Sequence, residues 1–81
     1  MDDPAQGQQA YLHIHSVLAR RITAGEYPAG AKLPTQTELA EEFGCEPGTA
    51  AKALRALQRQ GLARKALRGG YFSSGPGAHP G

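Results

Sequence analysis

Apolar residues recur at helical spacing in three stretches of the chain, and the period then shortens. Tyr11, Ile14, Val17, Leu18 and Ile22 recur at helical spacing and form one stripe. That spacing predicts an amphipathic helix from about Gln9 to Ala24, with Gly25 as its C-terminal stop. Residues 26–32 carry Pro28 and Gly30 and read as a loop. Leu33 precedes Pro34, which disfavours helical backbone there and predicts a short extended piece. Thr35 and Glu38 have the Thr-x-x-Glu spacing of a capping box, so a second helix starts after Thr35. Leu39, Ala40 and Phe43 supply its buried face, Glu38, Glu41 and Glu42 point outward, and Gly44 ends it. The turn Gly44-Cys45-Glu46 leads to a third helix opening with Pro47, a residue suited to the first helical position. Glu46 places negative charge at the positive end of that helix and is expected to cap it. Ala50, Ala53, Leu54 and Leu57 form its buried stripe. Thr49, Lys52, Ala56 and Arg59 are expected on the opposite face with Arg55 at the flank, and Gly61 is the stop.

Beyond Gly61 the helical period is lost. Residues 62–66 and 71–73 read as two short strands joined by a turn at Arg68-Gly69-Gly70. The predicted fold class is mainly α with a small β-hairpin: a winged helix-turn-helix of three helices plus a wing. Residues 1–8 lack apolar periodicity and read as a flexible tail, residues 9–73 as one domain, and residues 74–81 as a disordered tail of Ser, Gly and Pro with one His. The chain has 81 residues, enough for one domain with a modest core. With no Trp, two Phe and three Tyr, that core rests on Leu, Ile, Val and Ala.

Charge changes the picture more than composition does. Residues 1–46 hold Arg20, Arg21 and Lys32 against seven carboxylates, the last of them Glu46, for a net charge of −4. Residues 47–81 hold Lys52, Arg55, Arg59, Arg64, Lys65 and Arg68 and no acid, a net of +6. So one-sided a split points to a polyanionic partner. One cysteine, Cys45, excludes an intramolecular disulfide and a cysteine-based zinc site. His13 and His15, two apart on a helix, face different ways and make a poor metal pair, so no metal or cofactor is expected. No apolar run approaches a membrane span, and the acidic start Met1-Asp2-Asp3 does not suit a secretory signal. A cytoplasmic protein with no membrane association is expected. No nucleophile–base pair, acid pair or glycine-rich phosphate loop is present, which argues against an enzyme.

These residues resemble the DNA-binding domain of GntR-type bacterial transcription regulators. The resemblance covers about Ala10 to Ser73 and rests on Ile22-x-x-Gly25-x-Tyr27-Pro28-x-Gly30-x-x-Leu33-Pro34, then Glu38-Leu39-Ala40, Phe43-Gly44, Ala53-Leu54-x-x-Leu57 and Gly61-Leu62. Arg68-Gly69-Gly70-Tyr71 is similar to the family's Arg-Gly-x-aromatic wing. The resemblance implies a transcription regulator that binds double-stranded DNA, with the third helix in the major groove and the wing on the backbone or minor groove. Departures fall on the reading residues. The family's Leu-Pro-Ser-Glu-Arg is here Leu33-Pro34-Thr35-Gln36-Thr37, and its Val-Ser-Arg-x-Thr-Val-Arg is Cys45-Glu46-Pro47-Gly48-Thr49-Ala50-Ala51. Three family arginines are therefore replaced by Thr37, Pro47 and Ala51.

The candidate DNA-binding residues are Thr35, Gln36, Thr37, Thr49, Lys52, Arg55, Arg59, Arg68 and Gly69. Thr35, Gln36 and Thr37 lie at a helix N-terminus, where backbone amides suit a phosphate, or they serve only as a cap. Thr49 is either a phosphate or base contact or a plain surface residue. Lys52, Arg55 and Arg59 suit phosphates, contacts that position a protein without specifying sequence. Arg68 suits a narrow minor groove, and Gly69 permits close backbone approach or serves only the turn. Cys45 stands where the family has a buried Val and reads as a small core residue. Family members generally carry a C-terminal domain that binds an effector and dimerises. None is expected in this chain, which is either the DNA-binding part of a longer protein or, as its Met1 start suggests, a stand-alone regulator. A homodimer would use the first helix, the wing or the tails. The alternative function is a winged-helix protein-interaction module that docks through its acidic second helix or its first helix.

Overall fold

A computed structural model of the chain describes residues 4–77, with side chains from Gln8 onward. Its elements are α1 (Pro4–Thr23), α2 (Gln36–Phe43), α3 (Pro47–Arg59), β1 (Ala63–Lys65) and β2 (Tyr71–Ser73). Helix α1 starts at Pro4, five residues before the apolar stripe announced it. Pro4 suits the first helical position, and residues 4–8 offer no large apolar side chain to mark the turn. Part of the expected tail is therefore helix. Residues 1–3 lie outside the described residues.

Helix α3 packs on both α1 and α2. Ile14, Leu18 and Ile22 of α1 meet Leu39 of α2 and Ala50, Ala53, Leu54 and Leu57 of α3, with Leu33, Leu62 and Tyr71 closing the core. The capping box of α2 forms as expected. Thr35 Oγ1 accepts the Glu38 N–H at 3.1 Å, and the Thr35 N–H donates to Glu38 Oε1 at 2.9 Å. Gly44 takes the left-handed conformation (φ 65°) that ends α2 and admits the tight turn. Arg21 of α1 holds Glu42 of α2 at 3.0 Å, the one ion pair among the described residues.

Hairpin β1–β2 is antiparallel, with Ala63 opposite Ser73, Arg64 opposite Phe72 and Lys65 opposite Tyr71. The extended piece expected near Leu33 forms a third edge on β2. Lys32 bridges to Phe72, the Leu33 N–H donates to the Tyr71 carbonyl at 2.9 Å, and the Ser73 N–H to the Ala31 carbonyl at 2.8 Å. Strand β2 is thus the middle of the wing, with β1 and residues 30–33 on either side.

Two further expectations fail. Ala56, expected on the outer face of α3, is buried, 5% exposed. It lies one turn from Lys52 and one from Gln60, and both reach α1: Lys52 Nζ sits 4.9 Å from the Tyr11 ring centroid, and Gln60 Oε1 lies 2.6 Å from His15 Nε2. This row of α3 runs along α1, so Ala56 is covered while Lys52 at its start stays exposed. The start of the C-terminal tail is also ordered by contacts. Ser73 is fully buried; its hydroxyl donates to the Tyr27 carbonyl at 2.7 Å and accepts the Gly75 N–H at 3.0 Å. The Ser74 N–H donates to the Leu62 carbonyl at 2.9 Å. At Gly75 (φ 93°) a Cβ would stand 2.9 Å from Ala29 Cβ, so glycine is required for the close approach. The rest of that expected tail, residues 78–81, lies outside the described residues. No helix of the described residues is long and apolar enough to cross a membrane.

Candidate nucleic-acid interface

Helix α3 presents its outer face because its inner face is held by alanines and leucines spaced three and four apart. On that outer face Lys52, Arg55 and Arg59 are exposed. Arg55 and Arg59 point away from the body. Lys52 is the edge of the stripe, exposed but with its ammonium over the Tyr11 ring, a contact of the cation–π type. Thr49 is half-buried and its N–H donates to the Glu46 carbonyl at 3.0 Å. Glu46 occupies the N-cap position of α3, but its side chain makes no cap hydrogen bond. Its backbone carbonyl does that work, accepting the N–H of Thr49 and of Ala50. The expected carboxylate cap is therefore corrected to a charge near the helix dipole.

At the N-terminus of α2, Gln36 and Thr37 are exposed and Thr35 is half-buried in its capping role. Both ends of Thr35 are engaged by Glu38, and these bonds hold the Glu38 carboxyl below the usual glutamate range. A negative charge already sits at this helix end. Cys45 is half-buried and packs against the core. Burial first, then the Glu46 carboxylate, pushes its thiol pKa up, which suits a packing residue and not a reactive one. His13 stacks edge-on against Phe43 with centroids 5.3 Å apart, while His15 turns to Tyr11 and Gln60.

The wing turn is fixed by the Ala66 N–H donating to the Gly70 carbonyl at 3.0 Å and the Gly69 N–H to the Ala66 carbonyl at 3.3 Å. Gly69 and Gly70 both take positive φ (88° and 81°), which glycine alone adopts readily. Leu67, Arg68 and Gly69 form the exposed tip. Across the outer face of the wing, Lys32, Phe72 and Arg64 stand side by side as cross-strand partners. Sequence reasoning left Lys32, Arg64 and Lys65 out of the candidate set. The alternation of Lys32 with Leu33 and of Arg64 with Ala63 was the available signal, but β1 does not alternate through Lys65, and the third edge that brings Lys32 beside β2 is a tertiary contact. Arg55, Arg59, Arg64, Lys65 and Arg68 make no ion pair among the described residues.

The family model for bacterial regulatory proteins of the gntR family matches residues 10–72. The chain belongs to the GntR family. Its winged helix is that of GntR-family DNA-binding domains. The crystal structure of AraR(DBD) in complex with operator ORR3 superposes with a TM-score of 0.74 at 31% identity, covering 79% of this chain and 77% of that one. The structure of S. agalactiae BusR in complex with its busAB-promotor DNA gives a TM-score of 0.72 at 30% identity, covering 82% of this GntR chain and 32% of that one. Among curated relatives, the uncharacterized HTH-type transcriptional regulator YjiR of Escherichia coli (strain K12) is 36% identical over 70 residues, which is 86% of this chain. The chain spans 15% of that relative's length.

Proposed function

We propose that this domain docks on double-stranded DNA as the reading module of a GntR-type transcription regulator. Helix α3 lies in the major groove and the wing reaches the backbone or minor groove. The observation that carries this reading is electrostatic: the outer face of α3 and the wing after it present six cations and no carboxylate. Arg55, Arg59 and Lys52 neutralise phosphates along the groove, and Arg68 with Gly69 approaches at the wing tip. Thr49, Gln36 and Thr37 offer hydroxyl and amide donors at helix starts, and Thr35 holds the α2 terminus in place. Pro47 and Ala51 stand where the family has arginine, so positioning contacts dominate over bidentate base contacts. One domain gives a small footprint, and two copies on paired half-sites supply useful affinity.

The protein-docking alternative is not favoured. Two of its three acidic residues are engaged within the chain, Glu38 in the cap and Glu42 with Arg21, and two of the similar structures are DNA complexes. The regulatory role of the module involves no catalysis.

The test is the double substitution Arg55→Ala, Arg59→Ala. It should weaken binding to every duplex alike, each lost phosphate contact removing about 0.9 from the slope of log K against log salt. Unchanged binding would mean that α3 does not face DNA.

A further inference from the structure

Two of the three large apolar side chains exposed among the described residues, Leu67 and Phe72, line one groove with Arg64, Lys65 and Arg68. The groove is open, encloses about 500 Å³ and contains no carboxylate. Leu67 is at the apex of the wing, with a relative exposure of 106%. A single exposed leucine is ordinary on a protein surface. Here the turn is built to project it: the Ala66–Gly70 and Gly69–Ala66 hydrogen bonds close the loop beneath it, and the two positive-φ glycines make room for that closure. A partner suited to this tip must combine an anionic rim with an apolar interior. The minor groove of duplex DNA offers both, with phosphates along its edges, deoxyribose walls, and the apolar base faces of a step that opens.

We infer that Leu67 is an apolar wedge that enters the minor groove beside Arg68 and opens a base step there. This rests on the DNA-docking reading above. Apolar side chains inserted from the minor groove partly unstack a step and bend the duplex towards the major groove. Unstacking costs least at pyrimidine–purine steps such as TA and CA. The wedge therefore gives the domain a sequence preference at a position where it makes no base hydrogen bond, complementing an α3 that lacks the family arginines. Arg64, Lys65 and Arg68 hold the flanking phosphates while Leu67 is inserted.

The experiment compares the whole chain with its Leu67→Ala, Leu67→Met and Arg68→Ala variants, using selection from a random duplex library followed by salt titration on the selected duplex. The wild-type chain should enrich a TA or CA step at one fixed place beside the α3 footprint. Leu67→Ala should lose that enrichment and bind the selected duplex about tenfold more weakly, as expected for one exposed leucine no longer buried, with the salt slope unchanged. Leu67→Met should keep both. Arg68→Ala should lower the salt slope by about 0.9. If Leu67→Ala keeps the affinity and the step preference, the wedge is wrong while DNA docking stands. If Leu67→Ala instead converts a DNA-free dimer to a monomer, Leu67 serves contact between copies and the wedge is likewise wrong. If the wild-type chain binds no duplex at all, the docking reading fails and takes the wedge with it. Leu67 supports no core residue, so all variants should melt like wild type.

Discussion

Replacing Ser73 by alanine should remove a substantial part of the domain's stability. The Ser73 hydroxyl is fully buried and ties a remote loop to the local turn: it donates to the Tyr27 carbonyl, 46 residues away, at 2.7 Å and accepts the N–H of nearby Gly75 at 3.0 Å. A typical intramolecular hydrogen bond contributes about 1 kcal/mol net, and a buried group left without a partner costs about 1–3 kcal/mol. Two bonds lost in a site without solvent access put the substitution at about 2 kcal/mol. In a domain of this size that lowers Tm by about 8–16 °C. Urea unfolding followed by far-UV circular dichroism is the assay, and the midpoint should fall with the m-value unchanged. Gln58→Ala on the exposed face of α3 is the control and should stay within about 0.5 kcal/mol of wild type. A Ser73→Ala variant as stable as that control would show that the hydroxyl does not tie the Tyr27 loop and the Gly75 segment to the wing.

Three further outcomes test other parts of the account. Gly75→Ala forces a Cβ to 2.9 Å from Ala29 Cβ at a φ of 93°, and overpacking of this kind should cost about 1–3 kcal/mol in the same urea assay. The Glu38 carboxyl is held below its ordinary range by the Thr35 bonds. Its contribution is therefore present above the usual glutamate pKa of about 4.3 and lost as pH falls through the lower folded value. Glu38→Gln should flatten the loss of stability between neutral and acid pH, and an unaltered pH profile would contradict the capping role. Cys45, its thiol pKa raised by burial and by Glu46, should react slowly with a disulfide reagent at pH 7 in the native state and quickly in urea. Equal rates would mean the thiol is not sheltered.

The helices were legible because each start and stop has a local chemical cause. The Thr35/Glu38 box, Pro47, Gly44 and the stripe of Ala50, Ala53, Leu54 and Leu57 act within one or two turns of chain. What escaped depends on distant partners. Ala56 is buried because Lys52 and Gln60 meet Tyr11 and His15 of α1, a pairing across some forty residues that periodicity within α3 does not reveal. Gly75 lies in the stretch that reads as a low-complexity tail, yet its close approach to Ala29 and its bond to the Ser73 hydroxyl fix it against the wing. The same holds for the site. Arg55, Arg59 and Arg68 entered the candidate set from charge and position in the sequence, whereas the row Lys32–Phe72–Arg64 exists only once residues 30–33 pair with β2. Glu46 shows the opposite error: its type and position suited a side-chain cap, but its backbone carbonyl already accepts the Thr49 and Ala50 N–H groups.

Under the proposed function, the basic half of the chain grips duplex phosphates. The measurement that tests it most directly is the affinity of the chain for a genomic duplex across a salt series. About five phosphates neutralised by α3 and the wing predict a slope of roughly −4 to −5 for log K against log salt. A slope near zero, or no binding to any duplex at low salt, would contradict the account.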